Sequence, residues 1–296
     1  MSFADAEPTR LGPYRVLSRL GRGGMAEVFL GVHHGASGFE RHVALKRLRA
    51  PFRGEGRWER LLIEEAKLGA RLRHRNLVQT YDLGSADGSY FVCLEYVDGA
   101  DLASIAEVPE PHAWLIAEEI ALALEYVHTA CDERGVELGL VHRDVSPSNV
   151  LLSRAGEVKL ADFGIVKATN MIEQTRPDIR KGKYAYMSPE QAANEPLSAS
   201  SDQFGFGVLL HELVLGRRPY DGTSVPETLD LIRLAAPPNL AKLAPDAAKI
   251  VARCLARDPK DRFASASALR TAVSAFRRTL PPVAPPDLGA LIRAQT

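Results

Sequence analysis

In the stretch Leu140-Val141-His142-Arg143-Asp144-Val145-Ser146-Pro147-Ser148-Asn149, a carboxylate and a carboxamide stand five positions apart on a short polar loop. Apolar residues lead into the loop and Val150-Leu151-Leu152 leads out, so the polar groups are held between packed segments. The pairing of Asp144 with Asn149 suits one group that orients a hydroxyl and another that holds a metal. A second carboxylate follows eighteen residues later in Asp162-Phe163-Gly164, after a strand-like run at 158–161. Far upstream, the turn Gly21-Arg22-Gly23-Gly24-Met25-Ala26-Glu27-Val28 has the glycines that let a backbone approach phosphates closely with its N–H groups. A plain glycine-rich hairpin has the same composition. Val43-Ala44-Leu45-Lys46 ends an apolar strand on a lysine, which alone also reads as an edge residue whose stem packs while its ammonium reaches water.

The helix after that strand changes the meaning of the lysine. Trp58, Leu61, Leu62, Leu68 and Leu72 recur at helical spacing, and Glu65 falls inside the apolar stripe whereas Glu64 lies off it. A buried carboxylate without a partner is costly, and Lys46 is the natural one.

The elements that must position these groups follow from periodicity. Residues 14–20, 26–32 and 42–48 predict three antiparallel strands, and residues 78–83 and 90–96 two more, with a turn at Ser85-Ala86-Asp87-Gly88. Beyond residue 97 the pattern turns helical: 113–129, then 204–215 closed by Gly216, then 245–255 and 265–278. The polar stretch 130–139 reads as a surface turn without chemistry. Asp202 sits where it could cap the helix beginning near 204. Pro281-Pro282-Val283-Ala284-Pro285-Pro286 predicts a stiff extended spacer, and residues 287–296 are too few for a domain.

Composition sets the background. A chain of 296 residues has room for two lobes, and its 37 basic and 37 acidic residues give no global field towards nucleic acid. Cys93, Cys131 and Cys254 are scattered without metal-ligand spacing, which predicts a reduced, cytoplasmic protein. The first residues lack a basic region followed by an apolar run, and no stretch approaches the roughly 20 apolar residues of a membrane span.

The ordered set of motifs resembles the protein kinase family, in the form of a bacterial (eukaryotic-like) serine/threonine protein kinase catalytic domain. The resemblance covers residues 13–278 and implies an α+β, bilobal protein-kinase-like fold. Residues 13–97 would form an N-lobe with an antiparallel sheet and one helix, and 98–278 a mostly helical C-lobe. Residues 1–12 would be an N-terminal extension and 279–296 a Pro-rich C-terminal tail. It also implies ATP and Mg²⁺, protein substrates, and a homodimer for autophosphorylation in trans. Nucleotide-binding positions carried over are Gly21, Arg22, Gly23, Gly24, Val28, Ala44, Lys46, Leu94, Glu95, Val97, Asp101, Leu151 and Asp162. Leu94 would close the back of the nucleotide pocket, the backbone of Glu95 and Val97 would bind adenine, and Asp101 would reach the ribose. An ordinary strand end explains 95–99 nearly as well. The Lys46–Glu65 pair would position the α and β phosphates, Asn149 and Asp162 would hold the metal, and Asp144 would accept or orient the hydroxyl proton. His142 would pack near Phe163 rather than carry protons. Asp202 would tie down the catalytic-loop backbone, a role compatible with capping, and Arg262 would pair with Glu190 of Ser188-Pro189-Glu190.

The sequence departs from the family at three places. Ala26 replaces the last glycine of the loop. Ser146 stands where most Ser/Thr kinases have a lysine, and Lys183 stands where they have a threonine, as though ammonium and hydroxyl had changed places. The Ser/Thr preference rests on Ser146-Pro147-Ser148-Asn149. Arg143 beside the catalytic aspartate calls for an anion on the activation segment: Thr175 once phosphorylated ranks first, ahead of Thr169, with the Asp178 carboxylate as the constitutive competitor. The alternatives are a pseudokinase scaffold and, further off, a small-molecule phosphotransferase.

Overall fold

The computed structural model describes residues 8–163 and 181–296, without the side chains of 181–183. Contacts divide the described residues into two compact units, the first drawn from 8–73 and 78–96, the second from 74–77, 97–163 and 181–296.

The first unit is an antiparallel sheet with one helix. Strands β1 (Arg10–Leu11), β2 (Tyr14–Arg22), β3 (Ala26–His34) and β4 (Glu40–Leu48) are followed by helix α1 (Gly56–Arg71), then β5 (Thr80–Ala86) and β6 (Ser89–Glu95). The sheet order is β1-β2-β3-β4-β6-β5. The strands predicted from periodicity form with shifted ends, and β1 is an addition. Its Leu11 is fully buried and pairs with Tyr14, so two residues suffice to continue the sheet. Strand β4 alternates between two cores. Val43 and Leu45 join Leu11, Tyr14, Phe29, Phe91 and Cys93, while Leu48 joins Phe52, Leu62, Ala66 and Val92 under α1. The turn between β5 and β6 puts Asp87 and Gly88 at φ of 51° and 71°, the left-handed pair of a tight hairpin.

The second unit is mostly helical. It begins with a short strap, 74–77, in which Asn76 donates to Val158 O (2.8 Å) and Glu119 Oε2 (2.6 Å). Next come β7 (Gly99–Asp101), α2 (Glu110–His128), β8 (Val150–Ser153) and β9 (Val158–Leu160), with the three strands in one small sheet. The stretch 130–139 is a small turn in which Asp132 accepts from Arg134 N and Val136 N. Helices α3 (Pro189–Ala192), α4 (Ala199–Leu215), α5 (Val225–Leu234), α6 (Pro245–Cys254) and α7 (Ala266–Arg277) follow. Residues 201–211 of α4 are all buried, which makes it the central helix. Gly216 ends it in the left-handed conformation, φ 68°. Trp114 of α2 and Phe276 of α7 meet with ring centroids 4.3 Å apart in the same core.

The proline-rich tail departs from expectation. Residues 285–286, assigned above to an extended spacer, open helix α8 (Pro285–Gln295), because proline is tolerated in a first helical turn. The helix packs on the second unit: Leu288 and Ile292 are fully buried, and Gln295 Oε1 accepts from Ala106 N at 3.0 Å. Backbone approaches backbone there. A Cβ at Gly156 would lie 1.7 Å from Pro285 O, and one at Gly289 would lie 2.6 Å from Arg154 O. Helix α5, also absent from the sequence reading, is ten residues long and buries Thr228 and Ile232. Among the described residues no helix is long and apolar enough to cross a membrane.

If α8 is part of the core, Leu288→Ala and Ile292→Ala should each lower the unfolding free energy by about 2–5 kcal/mol in denaturant titrations. A tail that merely trailed the fold would leave the midpoint unchanged.

Candidate active site

In the first unit, β4 carries Lys46 beside α1, and its Nζ donates to Glu65 Oε1 at 2.7 Å. The two side chains are 11% and 13% exposed, so the pair is shielded but reachable from water. Ala44 lies one pleat before Lys46 on the same face of β4. Across the ladders Lys46 faces Val28 of β3, and Ala44 faces Leu94 of β6. Glu95 donates its N–H to Gln79 O at 2.8 Å, and its Oε2 accepts from Gln79 N at 3.1 Å. The turn 21–26 joins β2 to β3 and is closed by Gly23 N to Ala26 O at 2.8 Å.

In the second unit, the loop ahead of β8 is held by one carboxylate. Asp202, inside α4 and almost fully buried, accepts the N–H of Arg143 on Oδ1 and the N–H of His142 on Oδ2, both at 2.7 Å. His128 Nε2 lies 2.8 Å from the same Oδ2. Ser198 occupies the N-cap instead, so Asp202 takes the tie-down role and not the capping one. Arg143 adopts φ 69° and Asp162 φ 57°, left-handed conformations that non-glycine residues take at a cost of roughly 1–3 kcal/mol. Gln191 Nε2 donates to Arg143 O at 2.9 Å, so that strained residue is gripped on both its N–H and its carbonyl.

Asp144 and Asn149 are both nearly buried, and Asn149 Nδ2 donates to Asp144 O at 2.9 Å. That bond fixes the carboxamide with its oxygen as the atom left to coordinate. Ser146 Oγ lies 3.5 Å from Asp144 Oδ1 and 3.3 Å from Ser148 Oγ. The His142 ring sits 4.9 Å from Phe163. Burial depresses the His142 pKa against the pull of Asp202, Asp144 and Asp162, which keeps the ring neutral near pH 7 and suits packing over proton transfer. Val97 follows β6, Leu151 lies half-buried in β8, and Asp101 has a local partner, its Oδ1 accepting from Ser104 N at 3.0 Å. Lys183 has its backbone in the 3₁₀ turn Lys181–Tyr186 and its side chain outside the described residues, as are Gly164, Thr169, Thr175 and Asp178.

A further anchor lies behind the loop. Arg262, fully buried, donates to Glu190 Oε1 at 2.7 Å and Oε2 at 3.0 Å. It also donates to the carbonyls of Ala256, Ser200 and Arg257, so all five guanidinium donors are used. Two residues of these networks were given no role in the sequence reading. Gln191 follows the Ser-Pro-Glu signature directly, whereas nothing in the spacing singled out His128.

A family description, protein kinase domain, matches residues 14–273. The chain belongs to the protein kinase family. It is 36% identical over 277 residues to the tyrosine-protein kinase MasK of Myxococcus xanthus, covering 90% of this chain and 43% of that protein. It is 32% identical over 282 residues to the serine/threonine-protein kinase PknH of Mycobacterium tuberculosis, covering 91% and 43%. The crystal structure of the Mycobacterium tuberculosis PknI kinase domain superposes with a TM-score of 0.65 at 29% identity, over 93% of this chain and 99% of that one. The chain thus spans less than half the length of these curated relatives. Helix α8 lies beyond the stretch that the kinase description covers.

The kinase anchor Glu190–Arg262 has a pH signature. Burial alone would raise the Glu190 carboxyl, but the two hydrogen bonds and the charge of Arg262 outweigh it and hold it below the ordinary carboxylate value. The stabilisation is therefore complete above the unfolded-state pKa and is lost as pH falls through the folded one. Glu190→Gln should cost about 3–5 kcal/mol at neutral pH and flatten the acid limb of the stability profile, as read by thermal unfolding at stepped pH.

Proposed function

We propose that this chain is an ATP- and Mg²⁺-dependent protein kinase that transfers the γ-phosphoryl group to serine and threonine hydroxyls of proteins. The observation that carries this reading is the loop 142–149, in which buried Asp144 and Asn149 are bonded to each other and anchored through Asp202. Phosphoryl transfer needs little covalent chemistry from a protein; it needs position and charge. Asp144 would orient the acceptor hydroxyl and take its proton. Asn149 Oδ1 and the Asp162 carboxylate are hard oxygen donors that fit Mg²⁺, which keeps several waters and needs few protein ligands. Bound there, Mg²⁺ would neutralise phosphate charge. Lys46, steadied by Glu65, would hold the α and β phosphates, and the 21–26 turn would offer them backbone N–H groups. The remaining nucleotide positions, Arg22, Val28, Ala44, Leu94, Glu95, Val97, Asp101 and Leu151, are proposed as above, as are the kinase domain 13–278 and the cytoplasmic setting.

The presence of Lys46, Glu65, Asp144, Asn149 and Asp162 together supports phosphotransfer over a pseudokinase. A second reading, tyrosine as acceptor, draws on the relative named a tyrosine-protein kinase and on Lys183 in the threonine position.

With Mg-ATP and a generic acceptor protein, the wild type should label protein and Lys46→Met should abolish labelling while keeping a cooperatively unfolding, folded chain. Labelling by Lys46→Met at near wild-type rate would sink the assignment, and mass spectrometry of the phosphosites decides the acceptor class.

The exchange of hydroxyl and ammonium is tested by a double-mutant cycle. Lys183→Thr alone should lose most activity, and Lys183→Thr with Ser146→Lys should recover part of it. Strict additivity would show that the two positions do not cooperate.

A further inference from the structure

Three consecutive carbonyls at the tip of the glycine-rich turn are taken by one residue. Arg49 donates from Nη1 to Gly24 O at 2.8 Å and to Gly23 O at 3.4 Å, and its backbone N–H donates to Met25 O at 2.8 Å. We infer that Arg49 is a positioning residue for nucleotide phosphates, acting through the orientation of the turn's peptide groups. This rests on the nucleotide reading above.

The argument starts from peptide geometry. In a planar trans peptide the carbonyl of one residue and the N–H of the next point in opposite directions. Carbonyls of Gly23 and Gly24 drawn onto the Arg49 guanidinium therefore turn the N–H groups of Gly24 and Met25 the other way. A glycine-rich tip has no side chains to hold such an orientation, and without a clasp its peptide planes are free to flip. Arg49 supplies it from the residue just beyond β4, three positions after Lys46. The backbone bond to Met25 O sets the register, and the planar guanidinium reaches the two glycine carbonyls from there.

Charge adds to orientation. The neighbouring arginines share a carboxylate: Arg47 and Arg53 both donate to Glu27 Oε1, at 3.3 and 2.8 Å. Arg49 bonds carbonyls, so among the described residues its charge lies against the turn without a carboxylate at salt-bridge distance. A cation behind peptide groups whose N–H ends face away reinforces the partial positive charge those ends present to an anion.

The test separates phosphate recognition from base recognition. Affinities of wild type, Arg49→Ala and Arg49→Lys are measured by calorimetry for Mg-ATP and for adenosine, with the unfolding midpoint as a check on folding. Arg49→Ala should weaken Mg-ATP about tenfold, the entropy of ordering one residue of a turn that is no longer clasped, while leaving adenosine binding unchanged and the midpoint close to that of wild type. Arg49→Lys, which keeps the charge and one donor, should fall between them. Equal Mg-ATP affinity in Arg49→Ala and wild type, or equal weakening of ATP and adenosine, overturns the clasp. Failure of the wild type itself to bind Mg-ATP would overturn the nucleotide reading and the clasp with it.

Discussion

The second unit depends on one buried carboxylate. Asp202 comes from the interior of the central helix, where an unsatisfied charge would be severely penalised, and it is satisfied by the loop it organises. Two consecutive backbone N–H groups, His142 and Arg143, end on its two oxygens, with His128 beside one of them. Consecutive N–H groups can converge on one carboxylate only when the chain turns sharply, and Arg143 makes that turn at φ 69°. The strain and the anchor require each other. Asp144 and Asn149 hold their places because the residues just before them have no freedom left.

The same logic recurs behind the loop. Arg262 and Glu190 bring two charges into the core, which a protein tolerates when every donor and oxygen is used. Here the guanidinium serves α3 through Glu190, α4 through Ser200 O, and the segment after α6 through Ala256 O and Arg257 O. One side chain thereby joins three segments that are apart in sequence, and Gln191, next to Glu190, carries that fixation to Arg143 O. Helix ends, the buried pair and the 142–149 loop form a continuous hydrogen-bonded frame within the unit.

How much of this the sequence disclosed follows from the range of each interaction. Glu65 announced itself because a carboxylate on an apolar helical stripe demands a partner, and Lys46 was the residue that could answer; the pair forms at 2.7 Å. Strands 14–20 and 26–32 were legible for the same local reason. The role of Asp202 was not settled by local pattern, since an acidic residue near a helix start reads equally as a cap. The helix in fact starts at Ala199, and Ser198 occupies the cap position. Helix α8 was hidden by its prolines, which mark both extended spacers and first helical turns. Only the close approach of Gly156 to Pro285 and the bond from Ala106 N to Gln295 distinguish the two, and those residues are remote in sequence. Arg49 gave no signal because its partners are backbone carbonyls, which carry no sequence identity.

The exchange at position 146 has a physical consequence of its own. Ser146 is 2% exposed and its hydroxyl lies within a chain of short polar side chains that runs from Asp144 to Ser148. A lysine in the same site would carry its charge out along a flexible stem; a serine cannot reach beyond the loop. The loop thus keeps the carboxylate and the carboxamide but surrenders a mobile cation. On the proposed function, charge developing on a transferred phosphoryl group would have to be met from positions outside this loop. Substitution of a cation by a hydroxyl in a buried loop is tolerable for folding, because the hydroxyl finds partners locally. On the proposed function its cost would fall on chemistry, and the residues to meet it would lie outside the loop itself.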